Sequence, residues 1–181
     1  MMSLTPDASV PALLETSQVV SAITDKDLDV QAIVNSVQDD GAGATAVFIG
    51  TTRNSFKGKV VTKLEYQAYS KLAVKTMSNV AHASMKSAVR SEHQPSQTSS
   101  VTTTVGASAA TSIIKCAVWH RIGTVPVGQP SIVIAVSSPH RKEAFLVCEE
   151  ILEQVKAKAQ IWKREYYEGE DDATAEWKAN A

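Results

Sequence analysis

The stretch that most constrains this chain is Ser131 to Lys163, SIVIAVSSPHRKEAFLVCEEILEQVKAKAQIWK. Ser131 to Ser137 is a short apolar, β-branched run that reads as a strand. Ser138 then predicts a helix N-cap and Pro139 the first helical residue, leaving free backbone N–H groups beside His140 and Arg141. Ala144, Phe145, Cys148, Ile151, Leu152 and Val155 recur at three- and four-residue steps, the pattern of an amphipathic helix with one buried face. Past that face lie Lys156, Lys158 and Lys163, with Arg164 and Glu165 beside the last. A helix start attracts anions, so the stretch has an anion-binding head and a basic tail. Everything upstream reads as its scaffold.

With 181 residues and 44% hydrophobic content, the chain is long enough for one compact domain with a real core. Its formal net charge is −1, which leaves no overall field favouring nucleic acid or an anionic membrane. Any basic site must be local. Cys116 and Cys148 lack metal-ligand spacing, and the N-terminus lacks the basic head and apolar run of a signal peptide; both point to a reducing, cytosolic setting. No apolar segment approaches the roughly 18 residues that span a bilayer.

Residues 1–17 mix Pro, Ser and small residues and read as a poorly ordered leader. Gln18 to Ile23 suits a short edge strand. Leu28, Val30, Ile33, Val34 and Val37 then recur at helical spacing until Asp39-Asp40-Gly41. Ala42 to Thr51 reads as a buried strand centred on Val47, Phe48 and Ile49. It runs into a polar loop, Thr51-Thr52-Arg53-Asn54-Ser55-Phe56-Lys57-Gly58, where the Arg53 guanidinium presents a planar fork to phosphate or carboxylate or is simply solvated. Lys59 to Tyr69 alternates as a half-buried antiparallel strand. An apolar stripe from Leu72 to Ala88 predicts a helix over about Ser70 to Arg90, on or beyond which His82 and His93 read as surface histidines. Ser91 to Ser112 is dominated by Gln, Ser and Thr and reads as a flexible insertion within the one domain. Ile113 to His120 is the next strand, with Gly and Pro punctuating the turns after it.

Lys156 and Lys163 admit competing readings. Basic residues complement a helix C-terminus, snorkel or solvate a face; alternatively, a lysine crowded by cations or partly desolvated has a lowered pKa and works as acid, base or nucleophile near neutrality. Cys116 and Cys148 sit in apolar patterns and read as inert thiols. Along one straight helix His140 and Lys156 are on the order of 24 Å apart, at about 1.5 Å per residue. They meet at one small ligand only if the helix breaks or a second copy completes the pocket.

HRIGTVPVGQPSIVIAVSSPHRKEAF followed by VKAKAQIWKRE closely resembles the family of large, catalytic subunits of molybdopterin synthase. AVFIGTTRNSFKGK, LEYQAY and the late Trp177 extend the resemblance over most of residues 18 to 178. It implies an α+β fold, an α/β-hammerhead-like single domain with antiparallel sheet and packed helices over 18–178, interrupted by the insertion at about 91–112 and followed by a tail at 179–181. It also implies a sulfurtransferase that converts cyclic pyranopterin monophosphate into molybdopterin. The sulfur would arrive as a thiocarboxylate on a small ubiquitin-like subunit, within a heterotetramer built on a homodimer of large subunits. Carried across by motif, Lys156 and Lys163 are the catalytic lysines, and Thr51, Thr52, Arg53, His140, Arg141, Lys163, Arg164 and Glu165 bind substrate together with Lys156. No metal and no cofactor is implied. Gln160 stands where the family usually has proline, so the helix is expected to run further than usual. The Gly-to-Trp segment GEDDATAEW is also longer than the family's. A dimeric, non-catalytic module holding a phosphorylated metabolite through Arg53, His140 and Arg141 is the rival reading. A persulfide enzyme would need a cysteine in an anion-cradling loop, which the sequence does not offer.

Overall fold

The computed structural model describes residues 7–88 and 113–180. Among the described residues, two five-stranded sheets and three helices build a larger and a smaller apolar core on either side of the first sheet. The first sheet contains β1 (Ala12–Glu15), β2 (Val19–Thr24), β3 (Ala44–Thr51), β6 (Lys115–Arg121) and β8 (Pro130–Ser138), in the order β1-β2-β6-β8-β3. Only β2 and β6 pair in parallel in it. The second sheet runs β10 (Lys178–Ala179), β9 (Ile161–Tyr167), β5 (Lys59–Ala68), β4 (Ser55–Phe56), with β7 (Gly123–Pro126) also on β5, all antiparallel. This is the expected α+β architecture.

Helices α2 (Ser70–Ser87) and α3 (Arg141–Lys158) cover one face of the first sheet, and α1 (Val30–Ser36) covers part of the other. Met77, Ile134 and Ile151 are fully buried in the larger core. Each such side chain contributes roughly 1.5–3 kcal/mol on leaving water. Tyr66, Val125 and Ile161 extend the same core under the second sheet. That continuity holds the two sheets at a fixed angle around a cleft.

Several expectations change at this level. Ala12–Glu15, read as leader, pairs with β2 and turns Ala12 and Leu14 toward the core; four residues of alternation were too few to register as a strand. β2 is consequently an inner strand and β3 the edge, with Val47 39% and Ile49 43% exposed. Along β5 a register shift between Val61 and Lys63 switches the inward parity, so Val61 and Tyr66 are both buried. Bulges do this by inserting one unpaired residue. α3 starts later than predicted: Ser138 ends β8, Pro139 lies between, and His140 is the N-cap. Its buried face uses Ala144, Val147, Cys148, Ile151 and Val155, while Phe145 is 66% exposed.

The helix also stops sooner. Ala159 is its C-cap, and the Gln160 side chain donates to the Lys158 carbonyl while accepting from Thr76 Oγ1. The amide so replaces a missing helix turn, and Ile161-Trp162 start β9, as β-branched and aromatic residues favour. Lys163 lies on that strand, just past the helix terminus, and not on the helix itself. His82 is half-buried and its Nδ1 donates to the Ser78 carbonyl of its own helix. His93 and the 91–112 segment lie outside the described residues. Among the described residues, no helix is long and apolar enough to cross a membrane.

Candidate active site

Where α3 ends between the sheets, it opens a cleft of about 430 Å³. β3 and its following loop supply Thr51 and Arg53, α3 supplies Leu152 and Lys156, and β9 supplies Lys163 and Glu165. Arg53 is held over the Phe56 ring, 5.2 Å from its centroid. Phe56 reaches that position on a tight hairpin whose Lys57 and Gly58 have φ of 50° and 80°, the backbone sign that two-residue hairpin turns require.

Lys163 is the most perturbed amine. Burial pulls its pKa below the ordinary lysine value, Glu165 opposes that, and Lys156, Lys178 and Arg53 add to the lowering. Its Nζ lies 4.0 Å from Glu165 Oε1, with only 23% of the side chain exposed. Glu165 also accepts a hydrogen bond from the Tyr167 hydroxyl. A partly desolvated amine between one carboxylate and three basic side chains gives up its proton more readily than an ordinary lysine, while Lys156 and Arg53 line the same cleft and suit an anion.

The remaining candidates are placed elsewhere. Thr52 is buried and pins the turn before β8: its N–H donates to Gln129 O, and its carbonyl accepts from Gly128. Because side chains alternate along β9, Arg164 points away from Lys163. Two of its guanidinium nitrogens bond Glu65 Oε2 at 2.9 and 2.7 Å, and the Trp177 ring covers it at 4.7 Å. His140 and Arg141 are exposed at the opposite end of α3 and do not line this cleft.

Sequence reading missed His120 and Asn180, which both line the cleft. His120 is fully buried and meets Tyr66 edge-on at 4.9 Å. The signal was present: His120 shares the inward parity of Cys116 and Val118 on β6, a titratable group where the strand is otherwise apolar. Asn180 gave no local signal. Cys116 and Cys148 are buried, their thiols pushed up to about 12 and about 11 mainly by that burial, which suppresses thiolate chemistry.

Two sheets closed around a cleft that gathers Arg53, Lys156 and the half-buried Lys163 amine make a basic site suited to anions. Residues 23–158 match the family described as MoaE protein. The molybdopterin synthase catalytic subunit of Phaeosphaeria nodorum is 40% identical over 179 residues, 98% of this chain and 81% of that protein. The crystal structure of molybdopterin synthase from Staphylococcus aureus superposes with a TM-score of 0.67 at 26% identity, covering 86% of this chain and 94% of that one. A protein–protein complex of subunits 1 and 2 of the molybdopterin-converting factor from Helicobacter pylori shares the fold, with a TM-score of 0.58 at 20% identity over 82% of this chain and 85% of that one. The chain belongs to the MoaE family.

Proposed function

We propose that this chain is the catalytic subunit of a molybdopterin synthase, a sulfurtransferase of molybdenum cofactor biosynthesis acting on cyclic pyranopterin monophosphate. The observation that carries the reading is the convergence of Arg53, Lys156 and Lys163 on one cleft in a chain 40% identical to a protein of that name. Arg53 and Lys156 suit the cyclic phosphate and a thiocarboxylate tail, both anions. Lys156 and Lys163 together move protons as sulfur replaces oxygen on the substrate side chain and the tail's glycine carboxylate leaves. With both thiols of the chain buried, the sulfur comes from a small ubiquitin-like subunit that carries it as a thiocarboxylate, in the cytosol. The complex of two subunits known for the Helicobacter pylori factor supports a partner of this kind. Two catalytic subunits pair at the centre of a heterotetramer, so that His140 and Arg141 of one copy reach the Lys156 cleft of the other.

Lys156→Ala is the direct test, with purified small subunit and precursor. Dithiolene formation falls by about 10²-fold or more, the usual scale for losing a general acid or base, while small-subunit binding and self-association persist. Unchanged product formation rejects the catalytic assignment.

A further inference from the structure

The C-terminal strand is attached to the cleft by very little. β10 has two exposed residues, with Lys178 opposite Lys163 and Ala179 opposite Trp162 in register. Asn180, the next residue, is held more specifically. Its backbone N–H donates to the Ile161 carbonyl at 3.1 Å, and its side-chain Nδ2 lies 3.1 Å from His120 Nε2.

Hydrogen-bond chemistry assigns the imidazole. Nδ1 of His120 lies 2.8 Å from the Arg121 carbonyl oxygen, which can only accept, so Nδ1 carries the proton. Nε2 is then a lone pair, and the Asn180 amide donates to it. His120 stays neutral because burial pulls its pKa down to about 4. The pair is therefore a matched donor and acceptor inside the cleft wall.

We infer that His120 and Asn180 form a latch fastening β10 across the cleft, and that the latch is a positioning device for the Lys163 amine. Among the described residues, each charged group facing that amine sits on a different element: Glu165 on β9, Lys156 on α3, Arg53 after β3 and Lys178 on β10. From β6 comes the neutral His120, and from β5 the Tyr66 opposite in register. Lys178 alone among the cations depends on a two-residue strand. Releasing Asn180 withdraws that charge and admits water, and both changes raise the Lys163 pKa. The assignment of Lys163 to proton transfer rests on the function proposed above; the latch and its effect on the amine do not.

The test titrates the full chain after reductive ¹³C-methylation, reading each lysine by NMR without substrate or partner. In Asn180→Ala the Lys163 midpoint moves up and the amides of residues 178–180 lose hydrogen-exchange protection. Lys178→Met raises the same midpoint by removing the charge itself. Asn180→Asp keeps the shape but cannot donate when ionised, so its contact with Nε2 reforms only if His120 takes a proton, and the His120 midpoint moves up. An unchanged Lys163 midpoint in Asn180→Ala, with or without loss of protection, overturns the inference. Failure of sulfur transfer in the wild-type chain with these shifts intact would count against the proposed function alone.

Discussion

Burial keeps His120 neutral in the fold, with a pKa near 4 against 6.5 for a free imidazole. In the unfolded chain it takes a proton as pH falls through 6.5, and the native state does not follow until about 4. The unfolded state thus binds more protons in that window, so the contribution of His120 to stability is lost as pH falls from 6.5 to 4. It amounts to roughly 3 kcal/mol at full effect. Guanidinium unfolding at pH 7 and at pH 4.5 checks this: His120→Gln is less stable at pH 7, where it loses the Tyr66 contact, but has a flatter pH dependence than wild type. Equal slopes would exclude the imidazole as the cause. Lys163 has the same sign at the alkaline end, with stability rising as pH climbs from its lowered native pKa toward the ordinary lysine value.

At the scale of elements, the junctions decide what the site contains. A Cβ on Gly43 would lie 2.4 Å from the Pro139 carbonyl oxygen, so the start of β3 packs directly against the turn that aims α3. Gly43→Ala has no side chain to displace there, only backbone. It should destabilise the fold by about 1–3 kcal/mol, as overpacking does, and shift the amide resonances of His140 and Arg141. Chemical denaturation and a ¹⁵N spectrum measure the two effects. Junctions were also where reading the sequence failed. The apolar periods of α2, α3 and β8 are set by local alternation and were legible. The parity switch in β5 depends on pairing with β9, and the exposure of Val47 and Ile49 on β3 depends on which strand lies at the edge. Neither is a local property. Gln160 shows the same limit, because its helix-ending role needs Thr76, far away in sequence. In the cleft, Arg53, Lys156 and Lys163 were found by motif. The separation of Arg164 from Lys163 was legible only once β9 was known to be a strand, and the contact of Asn180 with His120 spans sixty positions.

For the whole molecule, the role proposed for His140 and Arg141 has to be reconciled with a cleft they do not line. α3 is unbroken between Arg141 and Lys158, which closes the route by helix breakage, so the proposed role requires a second copy. Apolar surface is available for pairing: Phe145 and Leu146 are 66% and 55% exposed on the outer face of α3, and Val47 and Ile49 are exposed on β3. Mixing two inactive chains tests the arrangement. A Lys156→Ala chain and a chain carrying His140→Ala with Arg141→Ala are each expected to lose activity as homodimers. Random association makes half of the dimers mixed, and if each pocket draws its lysine from one copy and its helix start from the other, a mixed dimer has one intact pocket of two. Co-expression then restores about a quarter of wild-type activity, by the symmetry of a two-fold pair. If all these residues act within one copy, every pocket in every mixture lacks a member and activity stays at the level of the single variants. Native mass spectrometry of the co-expressed sample, which resolves the three dimer masses, establishes that mixed dimers formed, so a null result under that condition rejects the shared pocket.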